Sequence, residues 1–240
     1  MPARLYAMGP SHPARAGVAM LRHKRIPHRV VWLMPGLHPL LVRFAGFERH
    51  TVPALDIDGH KVQGSSEIAR YLDTLVPDPP LFPTDAAGRA AVEAAEQWGR
   101  RVLQPVPRRL FRYLLVTSPE TRGWMGADVM HVPAAGVLQW AFMPAIWALA
   151  RNSHSDEATV RETLTRLPGV LDHVDALIAE GTIGAEQPNA ADFQILAGVR
   201  VLLEFEDLGD LVTSRPSAEP ARRLFPEWIG PIPGELPPPS

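Results

Sequence analysis

The chain contains no cysteine, which excludes disulfides, thiolate metal sites and a cysteine nucleophile. Lysine is almost missing as well, standing only at Lys24 and Lys61 while Lys and Arg together number 24. Against 26 acidic residues this leaves a formal net charge of −2, so nothing favours nucleic acid or an acidic polymer as partner. The pairs Arg100-Arg101 and Arg108-Arg109 are expected on solvated helix faces. The nine histidines show no HExxH or comparable ligand spacing, and no P-loop or GxGxxG follows a strand. Neither a metal nor a nucleotide cofactor is therefore expected. A secretory leader is not legible either, because Arg4, His12, Arg15 and several prolines interrupt the first apolar segment; a cytoplasmic location is expected. Long apolar runs are limited to residues 132–150, which approach the roughly 20 residues of a membrane span. Gly136, Gln139 and Pro144 weaken that reading. The stretch, with Trp140 and Trp147 seven residues apart, is expected to be a helix buried all round.

What is present is a globular composition, 240 residues of which 46% are hydrophobic, enough to bury one or two cores. Arginine in place of lysine, with abundant Ala and Pro, points to a GC-rich bacterial genome. The most informative segment is VPALDIDGHKVQGSSEIARYL, residues 52–72. An apolar run to Ile57, the hairpin dipeptide Asp58-Gly59 and the run His60 to Gln63 predict two short antiparallel strands. The chain bends at Gly64 and a helix starts at Ser65, with Ile68, Ala69, Leu72 and Leu75 on one face. Its first turn offers unpaired N–H groups and the hydroxyls of Ser65 and Ser66, a place where a carboxylate could dock. Gly64 with Glu67 three residues on also reads as half a capping box. Pro53 begins its strand, since proline cannot donate to a ladder, and the Val52 backbone is left free for an extended ligand.

The sequence VPAL, the hairpin, a serine opening a helix and then I-x-x-YL resemble the glutathione-binding half of the glutathione S-transferase family, in its serine-type, bacterial form. The segment LYAMGPSHPARAGVAML is similar to the family's first strand, loop and helix. PNAADFQI resembles its buried helix start, with Asn189 as cap and Asp192 at the third helical position. DLVTSRPSAEPARRL and FPEW resemble its closing helix and tail. The likeness is most specific over the first 83 residues, and between about 118 and 155 it is no more than generic helix.

The resemblance implies an α/β thioredoxin-like N-terminal domain followed by an all-α helical bundle. The first would hold glutathione, as co-substrate and not as cofactor, or an equivalent low-molecular-weight thiol. The second would hold an electrophilic, mostly apolar substrate, and the protein would be a homodimer through its third helix and the start of the long helical region. Pro53 then matches the family's cis-proline, with Val52 bonding the cysteinyl part of glutathione. Ser65 matches the serine that holds the γ-glutamyl carboxylate. Gly64 stands where an acidic residue or glutamine is usual, which leaves the ligand's ammonium group to Gln63 or Glu67. Ser11, in PSHPAR, matches the activating serine, and Tyr6 is its competitor on the first strand. A free thiol has a pKa of about 8.5, so it needs such a hydroxyl or a helix terminus to become a thiolate. Ser11 followed by Pro13 reads equally as a helix cap, and one hydroxyl can do both. A non-catalytic thiol-binding or interaction protein of the same fold is the alternative reading, favoured by the missing acidic residue at 64.

Domains are expected at 1–78 and 85–230, joined by a linker at 79–84 within the proline-rich VPDPPLFP, with a Pro-rich extended tail at 231–240. Strand patterns stop near residue 64, so the sheet should have four strands and no strand pairing should fall within 90–210. Helical patterns cover 85–116, which Pro105 and Pro107 must kink or break, then about 134–151, 156–180 and 190–207. Leu164, Leu167, Leu171, Val174 and Ile178 form a core stripe. Phe111, Tyr113, Trp140, Phe142 and Trp147 are candidates for a substrate pocket or simply for the core.

Overall fold

The computed structural model describes residues 3–130 and 135–240, with the side chains of 135–142 and 145 outside the described set. Its first part is one sheet flanked by helices: β1 (Ala3–Ala7), α1 (His12–His23), β2 (His28–Trp32), α2 (His38–Phe44), β3 (Ala54–Ile57), β4 (His60–Gln63) and α3 (Ser65–Leu75). The strand order is β2-β1-β3-β4, with β1 parallel to β2 and antiparallel to β3, and β3 antiparallel to β4. This is the expected four-stranded mixed sheet of a thioredoxin-like domain. In β1, Ala3, Leu5 and Ala7 alternate into the core as the pleat requires. The β3–β4 turn works because Asp58 and Gly59 both take positive φ, 50° and 86°, the conformation of a two-residue hairpin.

Helices then take over: α4 (Ala86–Trp98), α5 (Pro105–Thr117), α6 (Pro119–Trp124), α7 (Ala135–Asn152), α8 (Glu157–Ala179), α9 (Ala190–Leu202), α10 (Gly209–Thr213) and α11 (Ala218–Leu224). Between α4 and α5 the chain forms a π-turn at Gly99–Leu103. The break enforced by Pro105 and Pro107 thus falls just before them, where the missing N–H donors would otherwise leave the ladder open. Gly99 has a second reason to lack a side chain, because a Cβ there would stand 2.7 Å from Ile195 Cγ1. Close approach of the π-turn to α9 depends on it.

Helix α9 is the centre of the molecule, with every residue buried except Arg200. An apolar helix enclosed on all sides needs its terminal N–H groups satisfied from within. Asn189 Oδ1 accepts from Ala191 N–H and Asp192 N–H, and Asp192 returns the bond to Asn189 N–H at 2.9 Å, the full capping box expected of these residues. Asp192 also accepts from Gly184 N–H at 2.6 Å.

Lys24 is the other buried anchor. Its ammonium, 0% exposed, reaches Asp73 at 2.8 Å and the carbonyls of Val76 and Pro79 at 2.6 Å each, tying α1 to the end of α3 and the following loop. That loop is more than a spacer: Leu81 and Phe82 are buried, and Leu81 C=O accepts from Ala190 N–H at 2.8 Å.

Two expectations need correction. Trp147 is 60% exposed, so α7 is not buried all round; Trp140 lies outside the described side chains. Among the described residues no helix is long and apolar enough to cross a membrane. Phe205, within the region expected to lack strand pairing, makes one isolated parallel bridge to Ile232. The Pro-rich tail is extended but anchored, through that bridge and through Thr121 Oγ1 donating to Pro233 C=O at 2.5 Å. The α8 stripe buries Leu164, Leu167, Leu171 and Val174, joined by Leu177, and Ile178 packs half-buried against the same core.

Burial lifts the Asp192 carboxyl from 3.8 to about 6, although both N–H bonds pull the other way. The folded protein therefore binds this proton more tightly than the unfolded chain. Its stabilising contribution is complete in acid, below the unfolded value, and is lost as pH rises through about 6. The stability difference between Asp192→Asn and wild type should shift by about 3 kcal/mol in the variant's favour between pH about 4 and about 7. Urea unfolding at the two pH values reads this shift. Asp192→Ala, which orphans two N–H groups, should lose about 2–4 kcal/mol at pH about 4, and this loss should shrink towards pH about 7 by the same linkage, since alanine does not titrate either.

Candidate active site

A cavity of about 410 Å³ is lined by the starts of α1 and α3, the loop before β3, one face of α5 and the segment after α11. Its volume lies in the range of small-molecule sites.

Val52 and Pro53 form part of one wall, and the peptide between them is cis, the geometry the family resemblance implies. Pro53 C=O accepts from Gly64 N–H at 2.9 Å, which seats the α3 start against the loop. Ladder pairing with β1 begins only at Ala54. The N–H and C=O of Val52 make no bond among the described residues, so an extended ligand could pair with them.

Gly64 caps α3 with φ 99°, a conformation glycine adopts without strain. The expected half capping box does not form, because Gly64 N–H is already held by Pro53. Glu67 instead folds back over Gly64, where any Cβ would collide with its Oε2, and pairs with Arg49 at 3.6 Å. A carboxylate thus stands over position 64 although residue 64 has none.

Gln63 does not serve the cavity. It is buried, accepting from Arg49 N–H at 2.8 Å and donating to Arg49 C=O at 2.8 Å and Thr51 C=O at 3.3 Å. These bonds fix the loop before β3, and the side chain does not border the cavity.

Ser65 lines the cavity, but its hydroxyl donates to Gln194 Oε1 of α9 at 2.9 Å. Gln194 Nε2 is meanwhile buried without a partner. A half-turn of this amide would let Nε2 donate to Ser65 Oγ and release the serine proton towards the cavity. The backbone N–H groups of Ser65 and Ser66, at the first two helical positions, have no intrahelical acceptor in any case.

Ser11 is the N-cap of α1, accepting from Ala14 N–H at 3.3 Å, and it lines the cavity. Accepting that bond leaves its own proton free to donate, so the cap and the activating role are compatible. Tyr6 is elsewhere. Its ring meets Phe47 edge-on at 5.4 Å within a small apolar cluster, and it does not line the cavity. Asn189 and Asp192 stay structural, holding the α9 start that carries Gln194.

Gln104, Arg108, Phe111, Arg112 and Leu115 face the cavity from α5, at the three- and four-residue spacing of one helical face. Arg108, expected on a solvated face, is exposed and also borders the cavity. Arg109, its neighbour, donates to Thr163 Oγ1 at 2.9 Å. Phe111 lines the cavity and packs edge-on against Trp124, whereas Tyr113 packs on the core. The side chain of Phe142 is outside the described set.

His12 is buried, and burial plus the charge of Arg108 hold it at about 3. His38 is pushed below its ordinary value by burial and by Arg112. Both are neutral near pH 7. Burial and Arg108 push Arg112 down to about 10. Gln194, Arg49, Arg112, Trp124 and Trp228 are cavity residues or supports for which the sequence raised no expectation. The one available signal was Gln194, a lone amide inside the otherwise apolar run FQILAGV.

Among the described residues no cluster of His, Asp and Glu could hold a metal ion.

Residues 5–80 match the family profile of the glutathione S-transferase N-terminal domain. Compared by sequence with curated proteins, the chain finds no match. Among solved structures it resembles a β-etherase of Sphingobium sp. strain SYK-6, with 18% identity and a TM-score of 0.63 over 93% of this chain and 99% of that one. A poplar glutathione transferase gives 20% identity and a TM-score of 0.63 over 92% and 90%. A glutathione S-transferase of Rhodospirillum rubrum F11 gives 22% and 0.58 over 97% and 96%. At these identities the structural likeness is one of fold. Residues 5–80 thus carry the N-terminal domain of the glutathione S-transferase family, and the fold of the chain along its length is one that glutathione transferases share.

Proposed function

We propose that the cavity binds glutathione, or an equivalent low-molecular-weight thiol, and activates its sulfur for attack on an electrophile. One observation carries this reading: the free backbone of Val52, the first-turn N–H groups of α3 and the Ser11 hydroxyl all border the same cavity. The α3 terminus suits a carboxylate, the Val52 backbone suits a peptide unit, and the Ser11 proton suits a thiolate. Glu67, standing over Gly64, is the group for the ligand's ammonium, and Gln63 drops out of that role. Glutathione transferases, and a β-etherase, are among the proteins that share the fold.

In the reaction, the thiol proton leaves to solvent while the Ser11 hydroxyl and the α1 terminus hold the sulfur as thiolate. The sulfur then bonds to the electrophilic carbon and the leaving group departs with its electron pair. A hydrogen bond to a charged group contributes about 1.5–3 kcal/mol, enough to lower a thiol pKa by one to two units.

The Ser65–Gln194 bond favours a second reading. With its proton committed to α9, Ser65 would act as a strut between the two halves, and the protein would bind a ligand without turning it over. Calorimetric titration with glutathione and other bacterial thiols, beside turnover of a panel of electrophiles, separates the two. Saturable binding without turnover establishes the second, and no thiol binding overturns both. A homodimer through α3 and α4 in the cytoplasm accompanies either reading; a monomer mass by light scattering at micromolar concentration would remove the dimer.

Ser11→Ala should cut turnover at neutral pH by about 10- to 100-fold. Raising the pH should partly restore the rate, since the thiol then ionises unaided. Ser65→Ala should mainly raise KM for the thiol, because its bond is made equally in ground and transition states. Glu67→Gln should weaken thiol affinity by about 10-fold or more, and a des-amino analogue of glutathione should bind both forms alike. Steady-state kinetics and calorimetry of the four proteins check these outcomes; full activity in Ser11→Ala would reduce Ser11 to a cap.

A further inference from the structure

The α5 wall of the cavity carries two arginines whose charge nothing in the cavity offsets. Arg108 has no hydrogen-bond or ion-pair partner among the described residues, and Arg112 donates only to Leu149 C=O at 3.2 Å. Glu67 is the sole carboxylate among the described lining residues, and it is already paired with Arg49. The two arginines lie one helical turn apart on the same face, close enough for Arg108 to disfavour the charge on Arg112. Two cations brought together in a partly enclosed space are unfavourable unless an anion completes the group. The histidines beside them supply none, since both are neutral.

The rest of that wall is aromatic. Phe111 and Trp124 border the cavity beside the arginines, and Trp228 closes it from the segment after α11. A guanidinium pair in a cavity that Phe111 and Trp124 also line suits a flat organic acid, whose carboxylate accepts two parallel N–H bonds while its ring packs on those aromatic side chains. The position fits as well: Arg108 is close enough to bear on His12, the residue next to Ser11, so an anion held there lies near the reacting sulfur.

We propose that the second substrate is an aromatic or apolar electrophile bearing a carboxylate, which Arg108 and Arg112 bind from α5. This rests on the thiol-transferase reading for its chemistry but not for its binding, and it replaces the expectation of a mostly apolar substrate. Glutathione's γ-glutamyl carboxylate is assigned to the opposite wall, at the α3 start. With chloromethylbenzoate as a probe, the thiolate sulfur bonds to the benzylic carbon, the carbon–chlorine bond breaks, chloride leaves with the electron pair and the thiol proton goes to solvent.

The test uses the full chain and two readouts. Tryptophan fluorescence follows binding of naphthoate and phenylbutyrate against their amides at neutral pH, with and without saturating glutathione. The acids should bind about 10- to 100-fold more tightly than the amides, and high salt should narrow the gap. Arg108→Gln with Arg112→Gln should abolish the preference, while the Lys pair at the same positions should keep part of it. Arg108→Gln should not lower the thermal midpoint, since it removes a charge without a partner; this separates lost recognition from lost fold. In turnover, chloromethylbenzoate should exceed its methyl ester in kcat/KM, and the double Gln variant should level the two.

Amides that bind as tightly as the acids, or a preference that survives the double Gln variant, would overturn the proposal. So would acids that displace glutathione, because the arginines would then belong to the thiol's own site. If glutathione fails to bind while the acid preference persists, the thiol reading falls and the anion site stands.

Discussion

Helix α9 is the constraint around which the molecule is arranged. It lies inside, apolar on nearly every side, and packs against α1, α4, α11 and the π-turn that precedes α5. A buried helix is tolerable only when its unpaired terminal groups find partners in the protein. Asn189 and Asp192 supply them. The N–H of Ala190 is taken up by the loop after α3. The loop that joins the two halves is therefore hydrogen-bonded to the core of the second half, and Lys24 fixes the same loop from α1. Both halves of the cavity inherit their placement from this one helix.

From there the cavity follows. Gln194, on the first turns of α9, accepts a hydrogen bond from Ser65 at the start of α3, so the α3 wall of the cavity answers to the helical half. The π-turn before α5 changes the phase of the helix, and α5 then presents the face that holds Arg108, Phe111 and Arg112. Across from it, the cis Val52–Pro53 unit and the Gly64 turn bring bare backbone to the surface. One wall offers main-chain donors, acceptors and small hydroxyls. The other offers cations and rings. The two walls thus differ in chemistry, and the cavity sets them side by side.

The balance of charge in the cavity also explains the state of its histidines. His12 and His38 are kept neutral by burial and by the neighbouring arginines. Neither can therefore act as a counter-ion to a bound acid, and recognition of negative charge on this wall is left to guanidinium groups, which stay protonated even when their pKa is depressed.

Much of the fold was legible in the sequence because its signals are local. The Asp58-Gly59 hairpin, the alternation in β1, the proline stops around 76–83 and the N-x-x-D cap of α9 each arise from a few adjacent residues and their backbone preferences. The same holds for Ser11, Pro53 and Ser65, which sit in compact motifs. What the sequence could not show is where a polar side chain spends its hydrogen bonds. Gln63 and Glu67 looked equivalent as partners for a ligand's ammonium, yet Gln63 is consumed by the Arg49 loop and only Glu67 reaches the cavity rim. Tyr6 and Ser11 competed on position alone, and the pleat of β1 turns Tyr6 into a different cluster. Arg108 and Arg109 are neighbours in the chain with the same charge, but they differ by 100° around the helix axis, so one faces the cavity and the other Thr163. The sequence by itself determined the elements, their caps and the motif of the family's N-terminal domain, since those depend on neighbours along the chain. Only the tertiary structure decided which arginines, aromatics and amides meet in the cavity, because that depends on how helices far apart in sequence are rotated against α9.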